Sequence, residues 1–198
     1  MHASSAAIYR RALSAALIAA VLAMFSFSLA YAETGGRLPL LLLVRHADKS
    51  TGQADDNDPP LSPAGMKRAE ELATALRESG VNAIITTELR RTRETAAPLA
   101  AILALTPEVI AVQSSGSRHI KALEKTVHRH TGEVVLVVGH ANTIPDLIAA
   151  LGGPKLPEIC DAVYDNLFTV FAARGKVHFI RSRYGEPTPD TGPECQSR

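Results

Sequence analysis

From residue 38 onward, short apolar runs alternate with stretches where apolar side chains recur every three or four positions. Leu40–Val44 is a continuous run, the pattern of a strand buried on both faces, and Pro39 stands at its start, where a missing N–H is tolerated. Ala83–Thr86, Glu108–Val112 and Val134–Val138 predict three more strands; the last is β-branched throughout except for Leu136. Two late strands, Leu167–Ala173 and Lys176–Arg181, flank a turn at Arg174-Gly175. Between them lie helices. Ser62-Pro63 offers an N-cap followed by proline in the first turn. Met66, Ala69, Leu72, Ala73 and Leu76 then repeat at helical spacing until Ser79-Gly80. A second helix carries Ala96, Leu99, Ala100 and Leu103, with a disturbance expected at Pro98. A third, weaker one spans Ser117–His130 through Ile120, Leu123 and Val127. The fourth uses Ile144, Leu147, Ile148 and Leu151 and stops at Gly152-Gly153-Pro154. This alternation predicts an α/β three-layer sandwich with a largely parallel central sheet flanked by helices.

Residues 1–32 follow a different rule. A weakly basic start ends at Arg10-Arg11, an apolar run extends from Ala12 to Leu29, and Ala30-Tyr31-Ala32 supplies a small-x-small cleavage pattern. The expectation is a signal peptide over 1–32, a mature domain over 33–198 with a C-terminal tail at 185–198, and a periplasmic or secreted location. The alternative is an uncleaved N-terminal membrane anchor, because the run approaches the roughly 20 apolar residues that span a bilayer. In an oxidising compartment Cys160 and Cys195 are expected to pair and tie the tail to the domain.

Composition narrows the functional classes. At 46% hydrophobic residues the 198-residue chain can build a core and is too apolar for long disorder. A formal charge of +1 argues against a nucleic-acid binder, which usually carries a strong basic excess. Two cysteines cannot supply a four-cysteine zinc site.

In open α/β sheets, ligands bind beyond the carboxyl ends of the strands. The first strand runs into Arg45-His46-Ala47-Asp48-Lys49, the second leads to Arg90-Arg91-Thr92-Arg93, and the fourth ends in Gly139-His140-Ala141-Asn142-Thr143. Two imidazoles and several guanidiniums thereby reach one sheet edge. Guanidinium forks match phosphate oxygens, and helix starts near Leu89 and Thr143 add backbone N–H groups. A local cationic cluster in a nearly neutral domain suits a compact anion, and phosphate is the economical choice. Arg90 and Arg93 share a helix face, from which Arg91 diverges, and both are expected at the solvated surface.

These residues resemble a family. Leu43-Val44-Arg45-His46-Ala47, Leu61-Ser62-Pro63-x-Gly65, Leu89-x-Arg91-Thr92-x-x-Thr95 and Val138-Gly139-His140 are similar to the motifs of the histidine phosphatase superfamily, the phosphoglycerate mutase-like fold, in order across 38–184. Asp165-Asn166-Leu167 and Gly139-His140-x-Asn142-Thr143 further resemble an exported bacterial small-phosphatase subgroup. The resemblance implies that His46 is the nucleophile, attacking phosphorus with a neutral ring nitrogen and forming a phosphohistidine that water hydrolyses. A backbone carbonyl is expected to hold the other nitrogen. It also implies that Arg45, Arg91 and His140 grip the phosphate, with Asn142 among the substrate-binding residues. No metal or other cofactor is expected. The expected partner is a small phosphorylated molecule, with neither nucleic acid nor, once the leader is cleaved, a membrane.

One part of the pattern departs. Many members place a glutamate after the third strand as general acid; here Gln113-Ser114-Ser115-Gly116-Ser117-Arg118-His119 holds no carboxylate. Asp48, Glu124 and His119 are the candidates. Without an acid, alkyl phosphates suffer most and phosphoramidates, acyl or aryl phosphates less. Phosphohistidine phosphatases of the short subgroup lack it too. The implied activity is an acid-type phosphomonoesterase acting on a small molecule or an envelope sugar. The alternatives are a phosphohistidine or phosphoramidate phosphatase, or a phosphate-binding module without turnover. His128 and His130, His178, and the Asp55-Asp56-x-Asp58 cluster are read as solvated or structural rather than as metal ligands.

Overall fold

The computed structural model describes residues 38–51 and 57–188. The expected leader, Asp55, Asp56 and the Cys195 end of the expected disulfide lie outside the described residues. Six strands, β1 (Leu40–Arg45), β2 (Ala83–Thr87), β3 (Glu108–Ile110), β4 (Val134–Gly139), β5 (Asn166–Ala173) and β6 (Lys176–Arg183), alternate with four helices. These are α1 (Pro63–Leu76), α2 (Arg90–Leu103), α3 (Gly116–Arg129) and α4 (Thr143–Ala150). The sheet order is β3-β2-β4-β1-β5-β6. β1, β2, β3 and β4 pair in parallel, whereas β5 and β6 add an antiparallel ribbon at one edge.

Side-chain alternation in the central strands builds the three layers. Leu41 and Leu43 of β1 and Val135 and Val137 of β4 point to one face, where they meet Ile120, Leu123 and Val127 of α3 and Ile144, Leu147 and Ile148 of α4. Leu42, Val44, Leu136 and Val138 point the other way, onto Leu72, Ala73 and Leu76 of α1 and Ala96, Leu99 and Ala100 of α2. Both faces are covered, which explains the unbroken apolar runs in β1 and β4.

Helix α2 runs unbroken through Pro98. Ala96, Leu99 and Ala100, on either side of the ring, are anchored in the core, and that packing outweighs the missing N–H. Strand β3 ends at Ile110 rather than Val112. It is an edge strand with β2 as its one neighbour, and beyond the ladder the Val112 N–H donates to the Glu88 carboxylate at 2.8 Å.

Candidate active site

The register of β1 on β4 sets the geometry. Arg45 lies opposite Gly139, and the His46 N–H donates to the Gly139 carbonyl at 2.9 Å. The next residue after each strand end is a histidine, so the His46 and His140 rings come to 5.5 Å between centroids, inclined at 62°. Gly139 permits this turn: a Cβ there would meet Ile144 Cδ1 at 2.8 Å and Thr143 Oγ1 at 3.0 Å.

His46 is 4% exposed. Its Nδ1 lies 2.8 Å from the Ala47 carbonyl. A carbonyl can only accept, so Nδ1 carries the proton and Nε2 keeps its lone pair. Burial lowers the His46 pKa to about 3, assisted by the charges of Arg45 and Arg91 and by His140; the Ala47 bond opposes the shift without reversing it. His140 is also lowered, to about 4, by burial and then by Arg91, His119 and Arg45. Its Nε2 lies 3.2 Å from Thr87 Oγ1 at the end of β2. Both imidazoles are therefore neutral near pH 7.

The flanking motifs hold this turn in place. Ala47 N–H donates to Thr95 Oγ1 at 2.8 Å, and that hydroxyl donates to the Arg91 carbonyl at 2.6 Å, linking the His46 turn to the helix that carries Arg91. Ser62 N–H donates to the Asp48 carbonyl at 2.9 Å, and Ser62 Oγ caps α1 through the Gly65 N–H. A Cβ on Gly65 would fall 2.0 Å from the Asp48 carbonyl oxygen, so the helix start and the His46 turn touch backbone to backbone.

Arg45 is buried, and Nη1 donates to three carbonyls of one loop, Cys160 at 2.8 Å, Asp161 at 3.0 Å and Val163 at 3.2 Å. Nη2 sits 3.6 Å from the Asp161 carboxylate, and the guanidinium lies 4.2 Å from the centroid of the Tyr164 ring. Arg91 Nη1 is 3.7 Å from Asp58. The Nε atoms of both arginines are buried with no hydrogen-bond partner. Two neutral imidazoles and two guanidiniums with unspent N–H groups make a compact receptor for a tetrahedral oxyanion.

Comparisons with known proteins bear on the fold that carries these residues. Residues 41–112 match the model of the histidine phosphatase superfamily, branch 1. Over that segment the chain is similar to the histidine phosphatase superfamily. The protein histidine phosphatase SixA, solved with tungstate, is similar at TM-score 0.59 and 19% identity, over 73% of this chain and 96% of that one. A mycobacterial glucosyl-3-phosphoglycerate phosphatase is similar at TM-score 0.54 and 16% identity, over 74% and 98%. Phosphoserine phosphatase from Entamoeba histolytica, solved with 3-phosphoglyceric acid, gives TM-score 0.52 at 14% identity, over 79% and 99%. At these identities the likeness is one of fold. No curated protein sequence matches the chain.

Within this histidine phosphatase fold, the remaining sequence candidates take different places. Asp48 Oδ2 accepts from Arg68 Nε at 2.7 Å, a pair set beneath the His46 turn. Glu124 lies on α3 more than a turn beyond His119, half-buried. His119 occupies the first turn of α3, is 1% exposed, and leaves both ring nitrogens without a well-formed hydrogen bond. Burial lowers its pKa. Asn142 is the N-cap of α4 with its side chain exposed and making no cap bond. Arg90 pairs with Glu94 at 3.4 Å and Arg93 is exposed, both outside the cluster. His130 sits between Glu133 and Glu108, at 2.7 and 3.2 Å. Among the described residues no group of His, Cys, Asp and Glu forms a metal site.

Sequence reasoning missed Thr87, Tyr164 and the carbonyls of Cys160, Asp161 and Val163. Thr87 carried a signal, as a polar residue at the carboxyl end of a buried strand beside the Arg91 helix. The carbonyls carry none, because every residue has one.

Proposed function

We propose that this chain hydrolyses phosphate monoesters of small molecules through a phosphohistidine at His46. The observation that carries the reading is the Ala47 carbonyl on His46 Nδ1, which leaves Nε2 deprotonated beside His140 and the orphaned Nε atoms of Arg45 and Arg91. Nε2 attacks phosphorus as the phosphorus–oxygen ester bond breaks, and the leaving oxygen takes a proton from water or from a neighbouring acid, which the attacking water of the next step restores. Water then cleaves the phosphorus–nitrogen bond, releasing inorganic phosphate and restoring the neutral ring. Arg45, Arg91 and His140 stabilise charge on the equatorial oxygens throughout, the larger part of catalysis in phosphoryl transfer.

At the leaving oxygen, His119 is the best supported of the three candidates. It stands at the sheet's carboxyl edge and interacts electrostatically with His140, whereas Asp48 is committed to Arg68. A neutral imidazole N–H can hydrogen-bond the leaving oxygen, as it polarises carbonyls in other enzymes, while water supplies the proton. The acid-phosphatase part of this reading is supported by the lowered pKa values of His46 and His140, about 3 and about 4, which keep both rings neutral in mild acid. Export to the periplasm or beyond is supported by the leader-like pattern of residues 1–32.

The test is phosphate release from an aryl phosphate by the full chain and by His46→Ala, with the phosphoenzyme trapped by rapid denaturation. Acid-labile, base-stable phosphate on wild type and loss of turnover by about 10⁴-fold or more in the variant are expected. Turnover by His46→Ala at the wild-type rate removes the nucleophile. A phosphoenzyme that forms from phosphoramidates and not from esters favours a phosphohistidine phosphatase instead.

A further inference from the structure

Each arginine around the His46 turn already faces an aspartate. Arg45 has Asp161 at 3.6 Å, Arg91 has Asp58 at 3.7 Å, and Arg68 has Asp48 at 2.7 Å. Glu158 is also near enough to act on Arg45. The guanidiniums therefore retain N–H groups for one phosphate but little uncompensated charge for a second anion. The Asp161 side chain is 63% exposed, so its carboxylate reaches solvent beside Arg45.

The other feature of that side is aromatic. Tyr164 stacks one face on Arg45 at 4.2 Å, and its ring centroid is 6.2 Å from that of His46, inclined at 53°. The residue is half-buried, so part of it reaches solvent. Its backbone is fixed on both sides. Tyr164 N–H donates to Thr188 Oγ1 at 3.2 Å, and Asp165, 0% exposed, is held by Arg183 Nη1 and the Thr188 hydroxyl. On the other flank the carbonyls of Cys160, Asp161 and Val163 accept from Arg45. A pre-positioned, partly exposed aromatic residue next to a reacting centre is a platform for a second ring.

We infer that the site selects phosphate esters of uncharged, ring-bearing alcohols, with Tyr164 as the platform for the ring and Asp161 as the group that excludes a second anion. This inference rests on the phosphatase reading above. It separates the chain from enzymes whose substrates carry a carboxylate or second phosphate beside the ester.

The experiment measures kcat/KM of the full chain on benzyl phosphate, glycerol phosphate and phosphoglycerate, all alcohol esters. They represent a ring, an uncharged open chain and an anionic open chain. Wild type is expected to prefer them in that order. Tyr164→Leu lowers kcat/KM for benzyl phosphate by about tenfold more than for glycerol phosphate, the upper range of a ring–ring contact, and Tyr164→Phe keeps the wild-type ratio. Asp161→Asn raises phosphoglycerate relative to glycerol phosphate by about threefold, the scale of an exposed charge pair. A Tyr164→Leu loss equal on all three esters overturns the platform, since mere support of Arg45 would act on every substrate alike. A Tyr164→Phe loss as deep as that of Tyr164→Leu overturns it too, by assigning the effect to the hydroxyl. Wild-type preference for phosphoglycerate overturns the charge selection even if Tyr164→Leu fails to fold. Absence of both turnover and phosphoenzyme in wild type is a different failure, that of the phosphatase reading itself.

Discussion

The Nδ1 of His46 and the carbonyl of Ala47, 2.8 Å apart and out of water, fix both the tautomer and the charge of the ring. The bond is local to one turn, so the chain holds the Nε2 lone pair free without recruiting a distant partner. Burial then keeps the ring neutral far into acid, with a pKa of about 3. Long-range ¹⁵N–¹H spectra are expected to show His46 as the Nδ1–H tautomer, with no titration near the ordinary imidazole value of roughly 6.5. An inflection there in the free protein would show that the ring is solvated and the lone pair contested by protons.

The same shift has a consequence for stability. In the unfolded chain His46 and His140 take up protons near roughly pH 6.5, whereas in the folded protein they do so only near about 3 and about 4. Between those values the unfolded state binds more protons, so stability rises with pH. It is fully present above the unfolded pKa and is lost as pH falls toward the folded values, with a limiting slope of about 1.4 kcal/mol per pH unit for each ring. Thermal midpoints should therefore fall steadily from about pH 6.5 to 4, and His140→Gln should flatten the slope. An unchanged slope in that variant would mean that other groups govern acid sensitivity.

Asp48 illustrates how a sequence candidate resolves into a structural part. Beside the nucleophile in sequence, it is joined in space to Arg68 at 2.7 Å, and Arg68 is 5% exposed. Removing the carboxylate leaves a buried guanidinium uncompensated, a loss on the order of 3 kcal/mol. Asp48→Asn is expected to lower the denaturation midpoint while leaving the dependence of kcat on leaving-group basicity unchanged. A steeper dependence would make Asp48 the proton donor.

Much of this site was legible in the chain because each turn follows a strand the apolar runs disclose. Leu40–Val44 and Val134–Val138 locate β1 and β4, and from there the convergence of Arg45, His46 and His140 follows from parallel pairing. What the sequence could not disclose depends on backbone atoms or on partners from far along the chain. The three carbonyls that hold Arg45 have no residue signature. Tyr164 reads as one more strand-flanking aromatic until the stack on Arg45 is seen. Pro98 reads as a breaker because local propensity is visible in sequence, whereas the core anchoring of Ala96 and Leu99 is not.

Gly65 gives the Leu-Ser-Pro-x-Gly motif a steric reason. A methyl group would sit 2.0 Å from the Asp48 carbonyl oxygen, and backbone cannot yield as a flexible side chain can. Gly65→Ala must push α1 away from the His46 turn or distort that turn, costing about 3 kcal/mol or more. Chemical denaturation should show the loss, and phosphate release should drop with it, since the Ser62–Asp48 bond is made at the same contact. A variant of wild-type stability would show that the two segments separate freely.

Asp58 meets both Arg90 and Arg91, whose demands on it differ. Its carboxylate accepts the Arg90 N–H, at 2.8 and 3.1 Å, where the positive end of α2 emerges, and it lies 3.7 Å from Arg91 Nη1. The first contact caps a helix; the second sets a resident anion beside the guanidinium proposed to receive phosphate. Asp58→Asn keeps an amide oxygen for the cap and removes the competing charge. Inhibition by inorganic phosphate should tighten by about two- to fivefold, the range of a partly exposed ion pair, with the change shrinking as salt is added. If inhibition weakens instead, Asp58 acts mainly by orienting Arg91, and the carboxylate is a support for the phosphate grip rather than its rival.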